Sequence, residues 1–270
     1  MSSIRASSIS LKDRIIRKYH HLSDRRVLRQ NLAYRGLYDG RRAFIVGNGP
    51  SIKDQDITRL RNEQTFVMNA FCLHEKYDAI HPKFYVIFHS EYLRGDQTSL
   101  DFLKALNDKV HPDTIMVLPL KAKRLFEEHT ILPHNKKMYI YVSGFLSKAR
   151  PGGIDITGTV PTPMSVSVMC LMVAQYMGFD PIYLLGLEHN WLAVPPKAEF
   201  PHFSDGKSQQ FLQRDPNETY EQNCWTSYLL FRNYRLLRDS TKTKIFNLTP
   251  NSYLDTFPFA KYEDIMNEHK

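Results

Sequence analysis

Arg42-Ala43-Phe44-Ile45-Val46-Gly47-Asn48-Gly49-Pro50-Ser51 is the stretch that decides the fold. Phe44, Ile45 and Val46 form a short, unbroken apolar run. Such a run reads as a strand buried on both faces, as in a parallel sheet. Gly47 and Gly49 follow and permit a tight turn with bare backbone amides. Pro50 ends strand pairing. Ser51 and Asp54 are placed to cap a helix running through Ile57 and Leu60. A strand, a glycine turn and a helix start together make a phosphate cradle, because backbone amides and the helix dipole both favour an anion. The stretch matches neither standard phosphate motif. The dinucleotide fingerprint asks for a third glycine where Ile52 stands, and the Gly-Lys-Ser/Thr of the P-loop is missing. An ordinary tight turn after a first strand is the competing reading.

Toward the C-terminus the same grammar repeats. Gln64–Met68 reads as a second strand ending at Asn69, and Lys83–Ile87 as a third ending at His89. Thr114–Leu118 and Met138–Val142 are the fourth and fifth. Pro181–Gly186 is a sixth, running into Glu188 and His189, and Lys244–Leu248 is the last, followed by the Thr249–Ser252 turn. Helices are expected over Ala70–Tyr77, Leu100–Val110, Lys121–His129, Met164–Gly178 and Glu218–Ser240, the last with Cys224, Tyr228 and Phe231 on one face. Gly144–Pro163 is rich in Gly and Pro and reads as a mobile loop. Trp191–Asn217 lacks any period. Strands alternating with helices predict an α/β fold, a Rossmann-like parallel sheet with helices on both faces.

Toward the N-terminus the composition changes. Lys12, Arg14, Arg17, Lys18, Arg25, Arg26, Arg29, Arg35 and Arg41 interleave with Ile15, Ile16, Tyr19, Leu22, Val27, Leu28 and Leu32. This predicts a basic helical arm over residues 1–41 ahead of a nucleotide-binding domain over 42–270. The arm has two readings: a membrane-surface anchor, or a helical arm packed on the domain or on a second copy in a homo-oligomer. The net charge of +8 favours anionic partners. Nucleic acid ranks last among them, since no helix-turn-helix or aromatic RNA-binding signature is present. Cys72, Cys170 and Cys224 are widely spaced and odd in number, which suits reduced thiols and no metal knuckle. Neither a signal peptide nor a spanning segment is legible. The expectation is a cytoplasmic protein, with peripheral contact on the inner face of the membrane if the arm is an anchor.

In a parallel sheet the carboxyl ends of all strands share one edge. Asn48, Asn69, His89, Glu188, His189 and the Thr249–Ser252 turn would therefore line one crevice, and loops carrying Ser165 and His202 can reach it. Each residue alone has a plain structural reading. Asn69 makes a good helix cap, Glu188 and His189 can satisfy loop amides, and a lone loop histidine such as His202 is usually inert. Asp54-Gln55-Asp56 resembles a cation-binding Asp-x-Asp, but acidic residues opening a helix stabilise its dipole without metal. Cys72 and His74 sit too close on a short helix to make a catalytic dyad, and no serine nucleophile elbow is present.

Several segments together resemble a known family. Phe44 to Lys53 resembles the first motif of the bacterial sialyltransferases of glycosyltransferase family 42. Met68-Asn69-Ala70-Phe71 resembles their Asn-x-Phe segment, and Pro82-Lys83-Phe84-Tyr85 is similar as well. Met164-Ser165 and Ile182-Tyr183-Leu184-Leu185-Gly186-Leu187-Glu188 resemble their serine-containing helix and Ile-Tyr-Leu-x-Gly-Ile-Asp. Asn247 to Ser252 resembles their closing Pro-Asn-Ser turn. The resemblance spans Arg42 to Phe257 and extends to a wider superfamily. That superfamily includes archaeal-type 6-hydroxymethylpterin diphosphokinases and flagellin nonulosonate-transfer accessory proteins, to which His189-Asn190 and Pro201-His202-Phe203 are closer.

The resemblance implies a variant of the GT-A-like fold and a set of roles. Gly47, Asn48 and Gly49, with Pro50 and Ser51 behind them, would hold nucleotide phosphate or ribose. Asn69 and Ser165 would lie at the nucleotide, Glu188 would stand for an Asp that contacts cytidine, and His202 would be the general base. The chain departs from the family at His89, where an Asn is usual, and at His189-Asn190-Trp191, where tyrosines would steady the leaving phosphate. His89 or His189 would then stabilise that phosphate. The implied reaction moves an acidic sugar from a CMP-sugar donor to a glycan acceptor, with no cofactor or metal. The alternative is pyrophosphoryl transfer from ATP to a pterin alcohol. That reaction needs Mg²⁺, with Asp54, Asp56 or Glu188 as ligands.

Overall fold

Every ladder in the sheet is parallel. In the computed structural model, which describes residues 24–193 and 219–268, the strands are β1 Ala43–Val46, β2 Gln64–Met68, β3 Phe84–Val86 and β4 Ile115–Pro119. They continue with β5 Lys137–Val142, β6 Thr159–Val160, β7 Ile182–Leu185 and β8 Ile245–Asn247. Their order is β6-β5-β4-β3-β2-β1-β7-β8. The register pairs Phe44 with Thr65 on one side and with Tyr183 on the other. The chain lays down β1 to β6 outward, then returns to place β7 against the free side of β1. Strand order reverses between β1 and β7, where open α/β sheets bind their ligands.

The apolar run at Phe44–Val46 is central because both its faces are covered. Ala43 and Ile45 join one core with Phe66, Phe84 and Met138. Phe44 and Val46 join the other with Val67, Tyr85 and Met116. Alternate residues of a strand point to opposite faces, so an unbroken apolar run is what a two-sided burial requires. The first face is roofed by α5 Val166–Tyr176 and α6 Tyr220–Arg238. The second is roofed by α3 Gln97–Lys109, α4 Lys123–Glu128 and α7 Tyr262–Asn267. In α5 every residue from Ser167 to Tyr176 is buried, since it lies between the sheet on one side and α6 and the N-terminal segment on the other. Among the described residues no helix is long and apolar enough to cross a membrane.

Several expectations are corrected. The glycine turn is followed by two 3-10 turns, Pro50–Asp54 and Ile57–Leu60, and no α-helix. Asp56, rather than Ser51 or Asp54, caps the second, accepting from the Thr58 amide at 3.3 Å. Ala70–Tyr77 divides into a 3-10 turn, Asn69–Leu73, and a short helix α2, Tyr77–Ile80, because His74 between them is extended. The Gly- and Pro-rich Gly144–Pro163 contains β6, which extends the sheet beyond β5. On α6 the buried face is Ser227, Leu230, Asn233, Tyr234 and Leu237, while Cys224 and Tyr228 are exposed. The two stripes have the same spacing, and packing against α5 selects between them.

The described part of the expected arm, residues 24–41, packs on the domain. Residues 24–29 are helical, continuing as a 3-10 turn over Gln30–Tyr34. Asn31 is buried and donates from Nδ2 to the carbonyls of Tyr139 (2.8 Å) and Ile156 (2.9 Å). The amides of Gly36 and Tyr38 donate to Tyr176 and Met177 at the end of α5. Arg35 pairs with Asp155, and Arg42 forms a two-pronged pair with Glu63. Residues 28–41 thus belong to the packed body. The rest of the arm, Met1 to Ser23, lies outside the described residues.

Candidate functional site

The strand ends expected to share an edge do so, in the order β3, β2, β1, β7, β8. At β1 the turn closes tightly onto the loop after β7. The amides of Gly47 and Gly49 donate to the carbonyls of Leu185 (2.8 Å) and Gly186 (3.0 Å). A Cβ on Gly47 would sit 2.4 Å from the Gly186 carbonyl, and one on Gly49 would fall 1.5 Å from Glu188 Oε2. Glycine is required there for close backbone approach. The Ser51 amide donates to Glu188 Oε1 at 2.8 Å, and the Ile52 amide is taken by the Gly49 carbonyl. The expected phosphate cradle is therefore filled from within: the Gly47, Gly49 and Ile52 amides go to carbonyls, and the anion at the Ser51 amide is the Glu188 carboxylate. A ligand phosphate would have to displace it.

Beside the turn stands a set of polar side chains. Asn48 Nδ2 donates to the Met68 carbonyl at 3.3 Å, bringing the ends of β1 and β2 together. Asn69 follows with φ +48°, a left-handed conformation that asparagine tolerates. Its carbonyl accepts from the Tyr85 hydroxyl, which also accepts from the Cys72 amide. Among the described residues, Asn48 Oδ1, Ser51 Oγ, Asn69 Oδ1 and His89 Nδ1 are buried without a hydrogen-bond partner. Others, such as Thr65 Oγ1 and Gln175 Oε1, lie away from this edge; what sets these four apart is their grouping at the ends of three adjacent strands, where a polar ligand could pair them. Burial, with the Arg94 charge nearby, lowers the His89 pKa and holds its ring neutral.

On the other side of β1, the turn after β8 is scaffolding. Thr249 Oγ1 accepts from the Leu187 amide (3.1 Å), Ser252 Oγ donates to the Leu187 carbonyl (2.6 Å), and the Tyr253 amide donates to the Glu188 carbonyl (2.8 Å). These bonds fix the loop that aims Glu188 at the glycine turn. His189 has φ +48° and faces inward, its Nε2 hydrogen-bonded to the Tyr234 hydroxyl at 2.9 Å. From Tyr234 the chain of hydroxyls runs to Ser167 (2.6 Å) and on to Ser165 (2.7 Å), the N-cap of α5. Burial pushes the His189 imidazole down to about 3, so it is neutral at pH 7. Any contact of His189 with a leaving phosphate would be made by a neutral ring.

Ser167 and Tyr234 are the residues the sequence reading missed. Their helical positions read as core, and only the tertiary fold sets both against His189. Asp56 is committed to Thr58, and among the described residues no three His, Cys, Asp or Glu side chains come together as a metal site. His202 lies outside the described residues.

No family model and no curated protein matches this sequence. Among solved structures, the chain is similar to the sialyltransferase CstII from Campylobacter jejuni in complex with a substrate analogue, CMP-3FNeuAc. The TM-score is 0.44 and the identity 16%, over 81% of this chain and 85% of that one.

Proposed function

We propose that this protein is a glycosyltransferase moving an acidic sugar, sialic acid or a related nonulosonate, from a CMP-activated donor to a glycan acceptor. The observation that carries the reading is the row of unpaired polar atoms on Asn48, Ser51, Asn69 and His89, set beside the point where strand order reverses. The motifs from Phe44 to Lys53 and from Ile182 to Glu188 support the same reading.

Roles follow from the chemistry of each group. Glu188 is an acceptor, so it suits a ribose hydroxyl or an exocyclic amine of the base rather than a phosphate. The side-chain amides of Asn48 and Asn69 can both donate and accept, as a nucleotide requires. His202 takes the acceptor hydroxyl proton while the oxygen attacks the anomeric carbon, and the bond from that carbon to the CMP phosphate breaks. An imidazole near its ordinary pKa of ~6.5 is matched to this task at neutral pH. The departing phosphate meets the Ser51 hydroxyl and the neutral His89 ring. The reading routes no step through a metal ion.

The test is transfer from a CMP-sugar to a glycan acceptor, assayed with a chelator present. General-base catalysis contributes about 10²–10⁴-fold, so His202→Ala is expected to lower the rate by that range with CMP binding intact. Full activity in His202→Ala removes the base. Loss of wild-type activity on chelation favours the Mg²⁺-dependent diphosphokinase reading instead.

A further inference from the structure

Helix α6 carries a second polar face that the sheet edge does not use. Arg232, Arg235 and Arg238, spaced three residues apart, line a groove of about 340 Å³ together with Tyr228, Phe231, Asp255 and Thr256. Three guanidinium groups against one carboxylate leave the lining with a net charge of +2. Two of the arginines are held in place. Arg232 donates to the carbonyls of Leu146 and Ser147, and Arg238 donates to Asp239 and to the Thr256 carbonyl. The Arg235 guanidinium, between them, has no hydrogen bond or ion pair among the described residues. The two held guanidiniums keep the charge and shape of the groove in place before an anion arrives, and the planar fork of Arg235 between them suits a carboxylate or phosphate.

The groove lies beside the loop after β7. Phe231 lines it and also packs edge-on against His189, with ring centroids 6.3 Å apart, so one ring separates the groove from the loop after β7. Along the helix from Tyr228, Trp225 stacks on that ring at 5.6 Å. The two remain 61% and 52% exposed. This flat aromatic step suits the apolar face of a sugar ring, and the Asp255 carboxylate suits its hydroxyls.

We propose that this groove is a subsite for an anionic saccharide, the acceptor of the transfer reaction, which it holds by a carboxylate or phosphate at Arg235. The acceptor role rests on the glycosyltransferase reading; the binding itself does not. The experiment is calorimetric titration of the full chain with 3′-sialyllactose, glucose 1-phosphate, lactose and CMP. The two anionic sugars are expected to bind, the stronger of them showing which anion the groove prefers, and lactose to bind at least about 10-fold more weakly. A charge-assisted hydrogen bond corresponds to about 10–100-fold in affinity. Arg235→Gln should lose that factor for the anionic sugars and keep CMP affinity and melting temperature unchanged, since the side chain is exposed. Lactose binding as tightly as the anionic sugars, or Arg235→Gln leaving their affinity intact, overturns the proposal. Arg235-dependent binding of the anionic sugars without any binding of CMP keeps the groove and overturns its acceptor role. Binding of CMP without either anionic sugar overturns the groove and keeps the transferase reading.

Discussion

Gly47 and Gly49 stand two residues apart and resist substitution for different reasons. A methyl on Gly47 meets the Gly186 carbonyl at 2.4 Å, and that backbone cannot swing aside. Gly47→Ala is expected to lower stability by about 1–3 kcal/mol, as overpacking does, seen as a reduced urea midpoint. A methyl on Gly49 meets the free end of Glu188, which can turn away. Gly49→Ala should keep the fold within about 1 kcal/mol and weaken CMP binding; unchanged CMP affinity would remove Glu188 from the nucleotide site. His189 makes a separate prediction. The unfolded chain protonates this side chain below pH ~6.5, whereas the folded chain holds it neutral down to about 3. The unfolded state therefore binds more protons in that window, and stability rises with pH across it. The contribution is complete above pH ~6.5 and is lost as pH falls toward about 3, at up to ~1.4 kcal/mol per unit. Between pH 7 and pH 4.5, wild type should lose about 2 kcal/mol more than His189→Gln in urea unfolding. Equal losses would show that the ring is not kept neutral.

At the scale of elements, the segment before β1 behaves as part of the body. Its 3-10 turn reaches across α5 and inserts Asn31 beneath β5, where one side chain satisfies the carbonyls of Tyr139 and Ile156. Removing that donor leaves two buried acceptors unpaired, and an unpaired buried group costs about 1–3 kcal/mol. Asn31→Ala should thus lower unfolding free energy by about 2 kcal/mol, measured by urea denaturation. A change within error would mean the segment is only laid on the surface. Helix α6 couples the layers in the same way: its Tyr234 is fully buried and ties α5, through Ser167, to the loop after β7.

At the scale of the molecule, the reversal of strand order between β1 and β7 sets Asn48 and Asn69 at the ends of β1 and β2 and Glu188 in the loop after β7. A ligand that binds only the folded chain stabilises it by about 2.7 kcal/mol at a hundred times its dissociation constant. For a chain of this size that corresponds to a rise in melting temperature of about 5 °C. CMP is expected to produce such a shift and UMP a smaller one, since Glu188 can accept from the amine that only cytosine carries. Equal shifts would point to recognition of ribose and phosphate alone.

The local sequence determined the seven longer strands, while β6, inside the Gly- and Pro-rich Gly144–Pro163, was not legible. Short apolar runs bounded by turn residues, such as Phe44–Val46 and Ile182–Leu185, suit burial on both faces of a parallel sheet, and their carboxyl ends then had to share an edge. That put Asn48, Asn69, His89 and Glu188 at or just beyond the ends of strands on one edge of the sheet before any coordinates. Three more things were left to the tertiary structure. Whether the glycine-turn amides face a ligand or a protein group depends on Glu188, which lies 137 residues away from the Ser51 amide it accepts from. The inward turn of His189 depends on Tyr234, whose helical position alone reads as core. Which stripe of α6 is buried depends on the helix beside it, because Cys224-Tyr228-Phe231 and Leu230-Tyr234-Leu237 have the same spacing. Periodicity reports that a face is apolar; only the packing partner decides which of two such faces meets it.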